Sequence, residues 1–319
     1  MQFGVNAWVW LSPLTTDELE VLAPWVAEMG FDLIEVPLEN LDDLDYGRAA
    51  AIIRDNGLGA SAAAVIGAER DLIHPDPVIR ANGVAYLRRC IEATRALGGT
   101  NLVGPLYSAV GRTWQATDEE RARDVDFLVE QLRALAEYAG GHGVVLGIEP
   151  LNRFETSFIN LTSQAVEVVD RVDHPACALM LDTFHMNIEE RSLGDAIRAA
   201  GPRLRHLHAC ENDRGTPGTG HIPWADVAKA LHDIGYEGPV VIESFTNKVK
   251  SIARAAAIWR VLAPSQDELA RNGLAFLRRC LATHVTRDTQ KEINHGTTRN
   301  TFHRPMGGPH ARHTDQEGE

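Results

Sequence analysis

Short runs of mainly apolar residues recur along the chain, and between them the apolar positions repeat at helical spacing. The runs are QFGVNAWVW (2–10), FDLIEVP (31–37), LGASAAAV (58–65), TNLVGPL (100–106), VVLGIEP (144–150), CALMLDT (177–183), LRHLHAC (204–210) and PVVIESF (239–245). Each has the length and the Val, Ile, Leu and Ala content of a strand buried on both faces. The intervening segments carry helix-start signals. Thr15 followed by Glu18, and Thr117 followed by Glu120, have the spacing at which a hydroxyl and a carboxylate each satisfy a free amide of the first turn. Gly30 and Gly140 are the positions at which the preceding helices are expected to end in a left-handed residue.

Strands alternating with helices imply parallel strands joined by crossovers, and eight such units in about 280 residues predict an α/β fold, a single-domain (β/α)8 TIM barrel. A doubly wound open sheet is the competitor. It usually carries a glycine-rich turn after its first strand, and WVWLSPLTT has no glycine. The barrel is expected to occupy residues 1–285. Residues 286–319 are polar, rich in His, Gly, Thr and Arg, and without apolar periodicity; a disordered tail with solvated histidines (His295, His303, His310, His313) is expected there. NGVAYLRRC (82–90) resembles NGLAFLRRC (272–280), but the flanking residues do not match, so a shared amphipathic helix pattern is expected rather than a duplicated domain.

Composition narrows the function classes. With 319 residues, 44% of them hydrophobic, the chain can bury a large core, and a formal charge of −13 without Lys/Arg clusters argues against a nucleic-acid partner. No apolar stretch has the length of a membrane span. Cys90, Cys177, Cys210 and Cys280 lie far apart without metal-type spacing, and no signal peptide precedes them. Reduced thiols in a cytoplasm are the expectation.

The candidate chemistry lies at the ends of the last four strands. VVLGIEP ends at Glu149, LMLDT at Asp182, LRHLH at His208 and PVVIE at Glu243, each separated from the next by roughly one βα unit. In a barrel those ends share one rim. Three carboxylates and an imidazole gathered there need a positive partner, and a divalent cation is the simplest. A mostly oxygen ligand set without thiolate suits Mn2+ first, with Co2+ and Mg2+ as alternatives. His206, two residues before His208, is expected one layer deeper, as a hydrogen-bonded core residue or a support behind a ligand rather than a ligand itself, and His142 at the opposite end of the barrel as structural. The following loops, NRFE, FHMN and ENDRGTPGTGH, place Glu155, His185 and Arg214 where they can bond the hydroxyls of a sugar.

GIEPLNRFETSFIN, LMLDTFHMNIEE, HLHACENDRG and VVIESF resemble the D-tagatose/D-psicose 3-epimerase family within the xylose isomerase-like TIM barrels. The resemblance spans residues 1–283 in architecture, with its motifs between 142 and 245. It implies that Glu149, Asp182, His208 and Glu243 bind the metal, and that Glu149 and Glu243 are also the catalytic acid/base pair. Glu155, His185 and Arg214 would contact the sugar substrate and Phe245 would pack against it. Two departures bear on which sugar is used. Asn6 stands near the end of the first strand where relatives often carry an aromatic, with Trp8 and Trp10 beyond it, and LYSAVGRTWQAT after the fourth strand offers Trp114 as a pocket residue. A homodimer or homotetramer is implied by the resemblance alone.

The expected reaction is inversion at C3 of a free ketose (D-tagatose, D-psicose, D-fructose or L-ribulose type) through an enediolate, with one glutamate removing a proton and the other returning one. The alternatives are an aldose–ketose isomerase of the hydroxypyruvate or rhamnose type, and a metal-dependent lyase or dehydratase acting on a keto-sugar or C-glycoside. A sugar-binding barrel without activity ranks below these, because binding alone does not call for two metal-bound glutamates. A multi-zinc barrel endonuclease would want more histidines and a basic face.

Overall fold

The computed structural model describes residues 1–281; the expected tail at 286–319 lies outside them. Eight strands, β1 (Gln2–Asn6), β2 (Leu33–Pro37), β3 (Gly59–Ala63), β4 (Asn101–Gly104), β5 (Val145–Ile148), β6 (Cys177–Asp182), β7 (Leu204–His208) and β8 (Pro239–Ile242), form a closed barrel in sequence order. Every neighbouring pair is parallel, and β1 closes on β8 with Val5 opposite Ile242. Closure excludes the open doubly wound sheet. All eight strands fall inside the apolar runs, because a strand covered by helices outside and packed side chains inside is mainly apolar.

Among the described residues ten α-helices surround the barrel: α1 (Thr16–Glu28), α2 (Tyr46–Asp55), α3 (Pro77–Ala96), α4 (Asp118–Gly141), α5 (Thr162–Val172), α6 (Thr183–Glu189), α7 (Leu193–Ala200), α8 (Trp224–Asp233), α9 (Lys250–Ala255) and α10 (Gln266–Leu281). Capping boxes start α1 at Thr15 and α4 at Thr117, as their spacing predicts. Gly30, at φ +93°, ends α1. Gly140 does not end α4. The helix continues through Gly141, His142 caps it, and the left-handed residue is Gly143 at φ +69°. The His142 ring packs on Tyr138, with Nδ1 2.9 Å from the Tyr138 carbonyl, in a purely structural position.

The apolar interior runs from Val5 and Ile34 through Leu102, Leu146, Leu179 and Leu207, all fully buried. Gly104, at the end of β4, has φ +128°, and a Cβ there would lie 2.3 Å from the Ala64 carbonyl oxygen. Only glycine permits that conformation and that approach, which together shape the cavity wall next to Glu149. No described helix is long and apolar enough to cross a membrane.

Candidate active site at the strand-end rim

At the C-terminal ends of β5–β8 a cavity of about 350 Å³ opens, lined by Glu149, Glu155, His185, His208, Arg214, Glu243 and Phe245 among others. Asp182 adjoins them, offering a ligand atom within 4.8 Å of those of His208 and Glu243. It is paired in register with His208, and its Oδ1 accepts the Phe184 amide at 2.8 Å, so the same carboxylate starts α6. Thr183 ties β6 to β7 by donating its hydroxyl to the Cys210 carbonyl at 2.6 Å. These bonds explain why an apolar strand ends on an acid and turns at once into a helix carrying His185.

Arg214 is the centre of the charge distribution. Its Nη1 donates to Asp182 Oδ2 at 2.5 Å and to Glu243 Oε2 at 2.7 Å, and its Nη2 is 3.2 Å from His185 Nε2. Its guanidinium also lies 4.1 Å from the centre of the Phe184 ring. Part of the positive charge that the carboxylates require is thus supplied by the protein.

The buried groups separate in their protonation. Burial, reinforced by the charge of Glu243, pushes the Glu149 carboxyl well above its ordinary range. Burial would do the same to Glu243, but His208 and Arg214 outweigh it and hold that carboxyl low. Burial opposes the charge on His208, yet Glu243 and Glu35 raise its pKa well above the ordinary value. Burial, helped by Arg214, holds His185 neutral by pushing its pKa well down. The Asn152 main-chain N–H donates to His185 Nδ1 at 3.1 Å. Nδ1 is thus an acceptor, and Nε2 faces Glu149 Oε1 at 3.6 Å and Asp182 Oδ2 at 3.7 Å as well as Arg214 Nη2. Glu155, also raised by burial, accepts from Asn152 Nδ2 at 2.8 Å.

The donor set fits a divalent cation. Asp182, His208 and Glu243 each offer a ligand atom within 4.8 Å of the others, and Glu149, Asp182 and His185 form a second such group, so the two groups share Asp182. His208 Nδ1 is buried without a hydrogen-bond partner, 3.4 Å from Glu243 Oε2. An unpartnered imidazole nitrogen facing carboxylates is costly in the metal-free protein and is satisfied by a cation.

Phe245 is buried beside Trp8, with ring centres 5.5 Å apart, and both line the cavity. Trp8 therefore supplies an aromatic wall near β1. Asn6 is turned away, donating Nδ2 to Glu35 Oε1 and accepting the Trp8 amide. Trp114 is not among the lining residues. It stacks on Phe158 at 6.2 Å beneath Arg112, because the Ser157 hydroxyl takes its amide and holds the segment against the β5–α5 loop. Two acids escaped the strand-end criterion. Glu39, beyond β2, lines the mouth and accepts the Trp8 indole N–H at 2.8 Å; Glu35, inside β2, touches His208 from beneath. His206 lies in that deeper layer, its Nε2 3.0 Å from Glu35 Oε2, but poorly aligned for a hydrogen bond. An acid within LIEVP, a strand otherwise wholly apolar, was the one available signal for Glu35.

The family model for the xylose isomerase-like TIM barrel matches residues 23–280. The chain is 38% identical to the D-psicose 3-epimerase of Ruminiclostridium cellulolyticum, over 81% of this chain and 91% of that protein. It is 34% identical to the L-ribulose 3-epimerase of Mesorhizobium japonicum, over 86% and 93%. Among solved structures, the D-allulose 3-epimerase from Methylomonas sp. in complex with D-allulose superposes with a TM-score of 0.82 at 32% identity, covering 88% of this chain and 96% of that one.

Proposed function

The chain belongs to the ketose 3-epimerases of the xylose isomerase-like TIM barrel family, and on that premise we propose that it inverts C3 of a free ketose with the help of a divalent cation. The observation that carries this reading is the convergence of Asp182, His208 and Glu243, with an unpartnered His208 Nδ1, in a cavity that also holds Glu149. When bound, the cation supplies charge that stabilises the enediolate formed after the C3 proton leaves. Manganese suits the mostly oxygen donor set.

Glu149, Asp182, His208 and Glu243 are the proposed ligands. Glu149 and Glu243 come from β5 and β8, and each also acts on the proton at C3: one carboxylate removes it and the other returns a proton to the opposite face. Because the reaction is reversible the two exchange roles with direction. His185 presents its Nε2 edge to the substrate, Arg214 and Glu155 bond the hydroxyls, and Phe245 with Trp8 covers the carbon skeleton. Among the described residues Arg214 is the only Lys or Arg lining the cavity, and Leu38, Val65, Val110 and Ile252 are among the apolar residues of its wall. That lining supports a free sugar over a phosphorylated one.

Four free, buried thiols suit the reducing cytoplasm we assign to the enzyme. A homodimer or homotetramer belongs to the same proposal; Phe154 and Trp259, each 75% exposed, are side chains a subunit contact would cover.

The test is incubation of metal-stripped protein, with and without Mn2+, on D-fructose, D-psicose, D-tagatose and L-ribulose in D2O, read by NMR. Metal-dependent deuterium at C3 together with the C3 epimer is expected; deuterium at C1 would identify an aldose–ketose isomerase instead. Glu243→Gln should retain the fold and lose epimerisation by roughly 10²- to 10⁴-fold, and near-parental turnover would remove Glu243 from the acid/base pair.

A further inference from the structure

Glu35 is fully buried at the centre of a three-strand arrangement. Its neighbours in register are Asn6 on β1 and Ser61 on β3. Asn6 Nδ2 donates to Oε1 at 2.9 Å and the Ser61 hydroxyl donates to Oε2 at 2.8 Å, so both oxygens are fixed from the sides. Two imidazoles approach from across the barrel: His208 Nε2 lies 2.6 Å from Oε1, and His206 Nε2, poorly aligned for a hydrogen bond, 3.0 Å from Oε2. The other ring nitrogen of His208, Nδ1, is left unpartnered and faces Glu243.

We propose that Glu35 is a positioning residue for the cation site: it holds the His208 proton on Nε2 and aims Nδ1 at the metal. This rests on the metal-dependent reading above. The argument is geometric. A cation held at Nδ1 needs the one proton of the ring on Nε2; a carboxylate that accepts from Nε2 keeps it there and leaves the lone pair on Nδ1 for the cation. The ring could otherwise rotate or exchange tautomers. The contact spans the barrel from β2 to β7 and is itself held by two further strands, so it orients the imidazole before any cation arrives. His206 sits beside the pair, its ring centre 5.3 Å from that of His208, and limits how far the latter can tilt.

Glu35, His206 and His208 also lie close enough together to hold a cation of their own. Glu35 already accepts from Asn6, Ser61 and His208, which leaves it poorly placed as a ligand. The test distinguishes the two roles. Mn2+ binding to metal-stripped protein is followed by the EPR signal of the free ion, in the parent, in Glu35→Gln and in Ser61→Ala. One bound equivalent is expected, with affinity reduced about 10- to 100-fold in Glu35→Gln and less, in the same direction, in Ser61→Ala. The ¹⁵N-histidine NMR spectrum of the Mg2+-loaded parent should show His208 protonated on Nε2, and a tautomer mixture in Glu35→Gln. Epimerase activity in Glu35→Gln should fall further below the parent at limiting than at saturating Mn2+. An affinity within about twofold of the parent in a folded Glu35→Gln protein overturns the proposal, as does a second equivalent of Mn2+ lost selectively in that variant. If Glu35→Gln fails to fold, unchanged Mn2+ affinity in Ser61→Ala overturns it. Because cation binding is read directly, loss of the ketose 3-epimerase reading would leave this result interpretable.

Discussion

Arg214 carries more of the site than its place in a glycine-rich loop suggests. Its backbone is left-handed, at φ +64°, a conformation that costs a non-glycine residue of order 1 kcal/mol. The surroundings hold it there: its amide donates to the Glu211 carbonyl, and its own carbonyl accepts the Ser244 hydroxyl at 2.6 Å. Glu211 in turn accepts the amides of Gly218 and Ile222 and the Trp224 indole N–H, so one buried carboxylate organises the whole β7–α8 loop. The strain is tolerated because the guanidinium bridges Asp182 and Glu243. Removing one partner of a buried ion pair leaves the other charges uncompensated, at a cost of roughly 3–5 kcal/mol. Arg214→Ala should therefore melt well below the parent in EDTA, and the rise in Tm on adding Mn2+ should be larger than in the parent. Equal melting of the two metal-free proteins would show that Arg214 does not balance the carboxylates.

At the scale of elements, the similar stretches at 82–90 and 272–280 lie on α3 and α10 and share a packing requirement. A Cβ on Gly83 would fall 2.1 Å from the Arg70 carbonyl oxygen and 2.7 Å from Leu72 Cδ2; one on Gly273 would fall 2.8 Å from Pro217 Cδ and 2.9 Å from Ile242 Cδ1. In both helices the glycine admits a neighbouring loop to the helix surface. Gly83→Ala meets backbone and should cost about 1–3 kcal/mol, whereas Gly273→Ala meets side-chain atoms that can shift and should cost less. Gly141, the last residue of α4, has nothing within 4 Å of its Cβ position, and Gly141→Ala should be neutral or stabilise by up to about 1 kcal/mol. Urea unfolding of the three variants checks the order; a reversed order would contradict the packing account. The existence of these helices could be read from apolar periodicity and the Thr15 and Thr117 boxes. The end of α4 could not, because Gly140, Gly141 and Gly143 are all permissive stops and only the backbone conformation distinguishes them.

For the molecule as a whole, a closed parallel barrel makes strand ends converge, so Glu149, Asp182, His208 and Glu243 could be linked from their spacing alone. The criterion had no means of finding Glu35, because that residue lies two positions before the end of β2 and acts from the layer below the rim. The cavity walls were equally hidden. Trp8 and Val65, which follow β1 and β3, and Ile252 on α9 are distant in sequence and approach only through the fold, and Trp114, expected in the wall, is held away from it by Ser157 and Phe158. The same cooperative burial sets the behaviour of the cysteines. Cys90 on α3, Cys177 on β6, Cys210 beyond β7 and Cys280 on α10 are all free and buried. Burial pushes the first two to about 12 and Cys280 to about 11, while burial and the nearby Asp182 charge raise Cys210 well above the ordinary thiol range. Thiolate is the reacting species, so at pH 8 each thiol must wait for an opening of the structure before it can react. The native protein should then be inert to DTNB on the timescale of minutes and release four equivalents of thionitrobenzoate in denaturant. Cys210 donates its S–H at 3.2 Å to the carbonyl of Glu243, one of the proposed cation ligands, so Mn2+ should slow its labelling more than that of the other three. Rapid labelling of any one thiol in the folded protein would mean that the barrel opens locally there, and mass spectrometry of the labelled peptide would identify the element that opens.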